Sequence, residues 1–422
     1  MALSQAAAVV ESLIGHGGEA TTEQNLSNPA KDPSKYADPS GEKMKALVWN
    51  GKNSVKVVET FKPAKIEATD VIVKVTGSTI CGSDLHLLHG AIVEMQKGDI
   101  LGHEFCGVVD SVGPNITKIK PGDRVVCSFQ IACGSCMLGY SHFTGGYAGG
   151  QAEYVRVAYG DVNLLKLPDD VPDEKGLYLS DVLATSWNAV VDTGVKEGDV
   201  VAIWGAGPIG QMCAEMAFMN GAKRVIIIDG GPGAWRLDFV KSKVPKVETI
   251  DFTNLAKGEN VTSTLKKMEH GGPDVAIECV AGEYAKGWAH YFELALGMET
   301  DTSEIINEMI TSVKNFGRCG VTGVYAGFTN HFNIGSLMER GIRLIGNGQA
   351  PVHLYWEDLL KKIQDGSLEP LDMVTHRVDL SEMEELYKRF DAREKGIQKV
   401  FVQTKFSAPP CPGAPKLTKF NA

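Results

Sequence analysis

The sequence lacks several features that would assign it to whole classes of protein. It has no uninterrupted apolar run of about 18 residues, the length that a membrane-spanning helix needs. It also lacks an excess of positive charge, because 42 basic residues stand against 52 acidic ones and the formal net charge is −10. A protein that binds nucleic acid or an anionic membrane needs a basic face. We therefore expect neither nucleic acid nor a membrane as a partner.

The N-terminal region lacks the patterns of targeting peptides. No charged segment followed by an apolar stretch is present, and residues 1–43 contain acidic residues but no arginine. These observations disfavour a secretory signal and a mitochondrial transit peptide. The nine cysteines, an odd number, then indicate free or metal-bound thiols in a reducing compartment. We predict a cytoplasmic protein.

The chain has 422 residues, more than the usual ~100–200 of one domain, so we expect more than one domain. The distribution of residue types along it predicts an α/β protein with two kinds of domain. From Met44 to about Tyr154, short β-branched runs alternate with turn residues, which is typical of an antiparallel, barrel-like β domain. From about Asp199, apolar strands alternate with helical patterns. That alternation predicts a doubly wound parallel sheet, the Rossmann arrangement.

A glycine-rich loop, G-x-G-x-x-G, follows the apolar strand Val200–Trp204 and opens a helix. The first glycine permits a tight turn, the second lets backbone N–H groups approach a pyrophosphate, and the third lets helix and strand pack closely. The helix N-terminus adds partial positive charge. The cofactor-binding residues predicted in this loop are Gly205, Gly207, Pro208, Ile209 and Gly210.

Asp229 stands 24 residues after Gly205, at the end of the next predicted strand. Its carboxylate can accept hydrogen bonds from both hydroxyls of an adenine ribose, and it repels a 2′-phosphate. The sequence therefore favours NAD over NADP. Arg236 is close enough in the sequence to soften that preference, so we include it among the cofactor-binding residues.

Three residues of zinc-ligand type, Cys81, His103 and Asp181, lie in three separate segments. A catalytic zinc needs about three protein ligands and one open position for the substrate. Spacing alone leaves the alternative that the cysteine and the histidine are buried core residues and that the aspartate caps a helix.

Five short motifs occur in this order: Cys81–His86, Gly102–Glu104, Pro121–Val125, Gly150–Tyr154 and Gly205–Gly210. Together they resemble the zinc-dependent medium-chain alcohol dehydrogenase family over roughly residues 44–406. Two further segments, Leu179–Thr185 and Gly348–Val352, are similar to the glutathione-independent formaldehyde dehydrogenase subgroup. In that subgroup an aspartate replaces the second cysteine ligand of the liver-type enzymes.

The resemblance implies a role for each site residue. Cys81, His103 and Asp181 would bind one catalytic zinc. Ser83 would touch the substrate oxygen and begin a proton relay that ends at His86. Asp84 would hold a ligand imidazole in place, and Glu104 would approach the metal during ligand exchange. Lys399 would lie near the pyrophosphate of the cofactor. For Lys399, a solvated surface charge is the alternative.

The function that the resemblance implies is hydride transfer between NAD and an alcohol, or a hydrated aldehyde such as formaldehyde. The expected partners are this small substrate and further copies of the chain in a homo-oligomer. Two alternatives stay open: an aldehyde dismutase that retains its NAD, and a non-catalytic cofactor-binding relative. A zinc-free quinone reductase is disfavoured, because Cys81 and His103 would have no purpose in it.

Five segments follow from these assignments. We expect a disordered extension over 1–43, the first part of the catalytic domain over 44–182, and the NAD-binding domain over 183–343. The chain would then return to the catalytic domain over 344–406, and a disordered tail would occupy 407–422.

Two departures from the family pattern concern the site. The loop that normally holds a structural zinc through four cysteines is shortened here, so we expect Cys133 and Cys136 to be free thiols; His142 has no spacing that recommends it as a ligand. Trp187 and Asn188, which lie near the expected substrate cleft, differ from the residues usual in the subgroup. They would change the shape of the cleft, although packing of Trp187 against a sheet is the alternative.

Overall fold

The computed structural model describes residues 28–90, 92, 94–131, 136–140, 145–280, 301–325 and 329–420. Its strands are β1 Lys43–Gly51, β2 Ser54–Phe61, β3 Val71–Ser78, β4 Phe105–Val112, β5 Arg124–Cys127, β6 Gln130–Ile131, β7 Cys136–Met137, β8 Tyr154–Val157, β9 Leu164–Lys166, β10 Val200–Trp204, β11 Arg224–Asp229, β12 Glu248–Asp251, β13 Val275–Glu278, β14 Arg318–Val321, β15 Arg343–Gly346, β16 Val374–Asp379, β17 Lys399–Gln403 and β18 Leu417–Thr418.

Its helices are α1 Pro33–Tyr36, α2 Gly82–Leu88, α3 Gly160–Asn163, α4 Asp173–Gly176, α5 Val182–Asp192, α6 Pro208–Met219, α7 Trp235–Lys243, α8 Val261–Met268, α9 Glu304–Ser312, α10 Ile334–Glu339, α11 Val352–Gln364 and α12 Met383–Asp391. Within the described ranges, no helix combines the length and the apolar character that crossing a membrane requires. The described residues form two compact units. Unit 1 comprises those of 1–180, 376–391 and 400–422, and unit 2 comprises those of 181–375 and 392–399.

Unit 1 is built on a mainly antiparallel sheet of eight strands. Seven follow the order β18-β16-β17-β3-β4-β5-β9. The eighth strand, β8, pairs with residues 71–74 of β3. The apolar side chains of β3, β4 and β5 pack into one buried cluster. The antiparallel β domain predicted from the alternating runs is thereby confirmed.

Unit 2 is built on a six-stranded parallel sheet with the order β12-β11-β10-β13-β14-β15. The central strand β10 is buried along its whole length, which explains its continuous apolar run. Helices connect the strands, as the doubly wound prediction required. The strand order reverses between β10 and β13, and ligands bind such sheets outside the carboxyl ends of the strands at this point.

The chain stays in unit 2 longer than the sequence pattern indicated. Arg343–Gly346 pairs in parallel register with Arg318–Val321 and so forms the sixth strand of the sheet. The chain enters unit 1 again only at His376, whereas the predicted return to the catalytic domain lay at 344. The pairing of an edge strand depends on a distant partner, and the local sequence does not report it.

Parts of both segments that composition assigned to disorder contain regular structure. Tyr36, the last residue of α1, is 3% exposed, and its carbonyl accepts a hydrogen bond from Ala64 N at 2.8 Å. At the other end, Arg377 Nη2 donates to Ala408 O at 2.6 Å, and β18 pairs in parallel with β16. Residues 1–27 lie outside the described residues.

Candidate metal and dinucleotide sites

Three side chains of unit 1 form the metal-ligand cluster, which we define as Cys81, His103 and Glu104. One ligand atom of each lies within 4.8 Å of those of the others. Cys81 is half-buried, whereas His103 and Glu104 are 2% and 1% exposed. A thiolate, an imidazole and a carboxylate are ordinary ligands of zinc. This set of donors fits the metal that the sequence predicts.

The carboxylate of Asp84 contacts two members of this cluster, Cys81 and His103. Its Oδ2 accepts the backbone N–H of Cys81 at 2.9 Å, at the start of α2. Its Oδ1 lies 3.5 Å from Nδ1 of His103. Partners of this kind fix the orientation of a ligand imidazole and leave its other ring nitrogen towards the metal.

Backbone packing positions His103 through the glycine before it. Gly102 has a φ of +97°, and a Cβ atom there would lie 2.4 Å from Cγ of Gln151. Its carbonyl accepts Gly150 N at 2.7 Å. The Gly102–Glu104 and Gly150–Tyr154 motifs are therefore two sides of one close backbone contact.

Gln151 supports Asp84, and the sequence analysis did not single it out as a site residue. Its Nε2 donates to Oδ2 of Asp84 at 3.2 Å and to Thr79 O at 2.9 Å, and its Oε1 accepts the hydroxyl of Tyr387 at 2.9 Å. Gln151 lies in a quoted motif and could have been found from it. Tyr387 lies more than 200 residues away on α12 and gives no such signal.

The two predicted relay residues lie on α2. Ser83 is buried, and its Oγ lies 3.5 Å from Nε2 of His103. His86, one turn later on the same helix, is 4% exposed. The helix thus brings Ser83 to the metal-ligand cluster and places His86 one turn further on.

Asp181 is the first residue of unit 2 and precedes α5. Its Oδ1 accepts the hydroxyl of Thr185 at 2.5 Å. The preceding residue, Ser180, belongs to unit 1, where its carbonyl accepts Phe129 N at 3.2 Å. The ring of Phe129 in turn meets the imidazole of His103 edge-on, with centroids 6.2 Å apart. The end of this segment of unit 1 is therefore anchored beside a residue that packs on His103.

The glycine-rich loop of unit 2 has the geometry that its spacing predicts. Gly205 has a φ of +101°, and a Cβ atom there would lie 2.9 Å from Cys279 O. A Cβ at Gly210 would lie 1.9 Å from Gly205 O, whereas one at Gly207 would meet nothing within 4 Å. Helix α6 begins directly after Gly207 with Pro208 and Ile209. The open side of Gly207, at a helix N-terminus, fits the approach of a phosphate group.

Asp229 ends β11 beside this loop. Its Oδ2 accepts Ala206 N at 2.8 Å, and its Oδ1 accepts Gly230 N at 2.7 Å. Arg236 lies on α7, with its guanidinium 5.5 Å from the ring centroid of Trp235. The carboxylate of Asp229 is thus held against the glycine-rich loop.

Lys399 is 2% exposed and is not a solvated surface charge. The neighbouring Gln398, which the sequence interpretation missed, donates from Nε2 to Ala206 O at 3.0 Å and to Oε1 of Gln211 at 3.2 Å. Residues 392–399 belong to unit 2, so this segment joins the glycine-rich loop from far along the chain.

A cavity of about 700 Å³ lies within unit 2 at the carboxyl ends of β14 and β15. Asn188 contributes to its wall, accepting the hydroxyl of Tyr355 at 2.9 Å and donating to Asn347 O at 3.1 Å. Trp187 is half-buried, and the amine of Lys362 lies 5.4 Å from the centroid of its ring.

The shortened loop falls largely outside the described residues. Cys133 and His142 belong to the undescribed part, and Cys136 is described only as a backbone position in β7. The expectation of free thiols at Cys133 and Cys136 stays a prediction.

Comparison with known proteins places this geometry in a family. The sequence pattern of the alcohol dehydrogenase GroES-like domain matches residues 67–169. A zinc-type alcohol dehydrogenase-like protein of Schizosaccharomyces pombe is 36% identical over 397 residues, covering 86% of this chain and 92% of that protein. The chain belongs to the zinc-type alcohol dehydrogenase-like family. The family resemblance found in the motifs is confirmed.

Two further members show how widely the family extends. A formaldehyde dismutase of Pseudomonas putida is 32% identical over 407 residues, covering 85% of this chain and 96% of its own. Among solved structures, the alcohol dehydrogenase TADH of Thermus sp. ATN1 is 33% identical, with a TM-score of 0.71 and coverage of 86% of this chain and 100% of its own. The fold of this zinc-type alcohol dehydrogenase-like protein is thereby shown over most of its length.

Proposed function

We propose that the protein is a zinc- and NAD-dependent dehydrogenase that transfers hydride between NAD and a primary or secondary alcohol, or a hydrated aldehyde such as formaldehyde. The metal-ligand cluster is the observation that supports this most strongly. A thiol, an imidazole and a carboxylate bring one ligand atom each within 4.8 Å of the others, and zinc in proteins is bound by donors of these types.

We assign Cys81, His103 and Asp181 as the zinc ligands, with Glu104 as an exchange ligand. The assignment of Asp181 is supported by its neighbour Ser180, which Phe129 anchors beside His103. Asp84 would hold the imidazole in place from the other side. These three residues would hold the zinc and would leave room beside it for the substrate.

When bound, zinc makes the hydroxyl of an alcohol acidic near neutral pH, and NAD accepts the hydride. Ser83 takes the hydroxyl proton, since its Oγ lies beside the imidazole of His103. As it accepts this proton, Ser83 gives up its own hydroxyl proton. His86, one turn further along α2, passes the released proton towards solvent.

For the cofactor, we assign the pyrophosphate to the backbone of Gly207, Pro208 and Ile209 at the start of α6. Asp229 would hold the adenine ribose, with Arg236 nearby, and Lys399 would lie near the phosphates. The hydrogen bond from Gln398 to Ala206 supports the assignment of Lys399, because it brings that segment to the glycine-rich loop.

The test is NADH formation by the purified protein on a panel of alcohols and formaldehyde, with and without a chelator. Cys81→Ser should abolish both zinc binding and turnover. Cys411→Ser, at another half-buried cysteine of unit 1 outside the cluster, should change neither. A well-folded protein that contains zinc but forms no NADH from any of these substrates would contradict the dehydrogenase function.

The formaldehyde dismutase relative favours one second candidate, a dismutase whose NAD stays bound. Consumption of aldehyde without added NAD, and without net NADH, would identify it. The cytoplasmic location and the homo-oligomeric state remain predictions from the sequence.

A further inference from the structure

A tyrosine outside the family motifs lies against the metal-ligand cluster. The ring of Tyr140 meets the imidazole of His103 edge-on, with centroids 5.2 Å apart. Its hydroxyl is hydrogen-bonded to the hydroxyl of Ser83, whose Oγ lies 3.5 Å from Nε2 of His103. One buried aromatic side chain thus contacts both a proposed zinc ligand and the proposed proton acceptor.

Close backbone packing holds Tyr140 in this place. The preceding residue, Gly139, has a φ of +66°, and its N–H donates to Tyr147 O at 3.0 Å. A Cβ at Gly139 would lie 2.5 Å from the carbonyl oxygen of Gly102, the residue before His103. The segments that carry Tyr140 and His103 therefore touch through two glycines, and little movement between them is possible.

Packing on the imidazole does not by itself require a hydroxyl. Phe129 meets the same ring edge-on at 6.2 Å with an apolar side chain. Aromatic pairs of this geometry stabilise each other through their rings. The difference between the two neighbours of His103 is the hydroxyl of Tyr140, and that hydroxyl reaches Ser83.

We propose that Tyr140 is a positioning residue that orients the hydroxyl of Ser83 towards the substrate oxygen. A serine hydroxyl rotates freely and has one donor and two acceptor positions. The hydrogen bond between the two hydroxyls fixes the rotation of the Ser83 hydroxyl, so that a lone pair of its Oγ faces the alcohol. As the alcohol O–H bond breaks, a new O–H bond forms at Ser83 Oγ, and the original proton of Ser83 leaves towards His86. This inference rests on the proposed function.

The first test uses the cobalt(II)-substituted protein, because its visible absorption reports the ligands without turnover. Tyr140→Phe keeps the ring and removes the hydroxyl. We expect an unchanged spectrum without alcohol and an affinity for benzyl alcohol about tenfold weaker, as one hydrogen bond is lost. Tyr154→Phe is the matched control, since its hydroxyl bonds to Glu42 at 2.6 Å, and it should behave as wild type.

The second test is a double-mutant cycle with Ser83→Ala. If Tyr140 acts through Ser83, removing its hydroxyl in the Ser83→Ala protein should change neither the alcohol affinity nor kcat any further. Additive losses, or a Tyr140→Phe protein equal to wild type, would overturn the inference and leave the proposed function standing. A wild-type protein that binds no cobalt would overturn both.

Discussion

Glu215, on the helix that follows the glycine-rich loop, makes the stability of the protein depend on pH. Burial, together with the charges of Asp372 and Glu369, raises the pKa of this carboxyl to about 7, against the lowering effect of a backbone hydrogen bond from Glu369. Asp372 is fixed there, because its carbonyl accepts Nε2 of Gln211 at 3.0 Å and its Oδ1 lies 3.1 Å from the amine of Lys243. Ionised Glu215 therefore faces like charge in a poorly solvated place.

The sign and size of the effect follow from this shift. Below the ordinary value of 4.5 the carboxyl of Glu215 is protonated in both the folded and the unfolded chain, and the folded state carries no penalty. Between about 4.5 and 7 the unfolded chain releases the proton first, so the free energy of unfolding falls as pH rises. At about 1.4 kcal/mol per unit the full loss is about 3 kcal/mol, and partial exposure reduces it to about 2 kcal/mol.

Glu215→Gln should remove this dependence, since the amide oxygen still accepts the N–H of Glu369 and carries no charge. In urea unfolding, the variant should be about 2 kcal/mol more stable than wild type at pH 8 and equal to it near pH 4.5. Glu357→Gln, on the exposed side of α11, is the control and should change neither value. A gain of the same size at both pH values, or none at pH 8, would refute the reasoning.

Three further predictions concern the two sites. Gly207→Ala should fold normally, because a Cβ there meets nothing within 4 Å, yet it should bind NAD at least about tenfold more weakly in a fluorescence titration. Gly210→Ala should lower the melting temperature, because its Cβ would lie 1.9 Å from Gly205 O. The reverse pattern would contradict both expectations. Asp84→Asn should weaken zinc binding about 10–100-fold in competition with a chelator, whereas unchanged affinity would remove its assigned role. Asp229→Ala should weaken NAD by about tenfold and NADP much less, and equal losses would contradict its contact with the ribose.

The parts of the molecule that the sequence predicted well are those encoded locally. The run Val200–Trp204 coincides with β10, since a strand buried on both faces must be apolar throughout. Gly205 and Gly210 have the predicted geometry because a positive φ at the first and a close backbone contact at the second disfavour any side chain, and Asp229 lies beside them. Family resemblance, rather than spacing, selected Cys81 and His103 from other buried residues of the same types.

The features that the sequence did not reveal depend on contacts between distant segments. The sixth strand of the parallel sheet, Arg343–Gly346, was assigned to the other domain because pairing, not composition, decides its membership. Tyr387 supports Gln151 from α12, and Gln398 reaches the glycine-rich loop from far along the chain. Tyr140 stands in no motif, and only folding brings its hydroxyl to Ser83.

The zinc content of the purified protein tests the central claim most directly. Elemental analysis should find one zinc per chain in the wild type and in Cys411→Ser, and almost none in Cys81→Ser. Two zinc ions per chain would mean that the shortened loop still binds a structural metal. A well-folded wild-type protein without zinc, or a Cys81→Ser protein that keeps it, would contradict the assignment of the metal-ligand cluster and with it the proposed dehydrogenase.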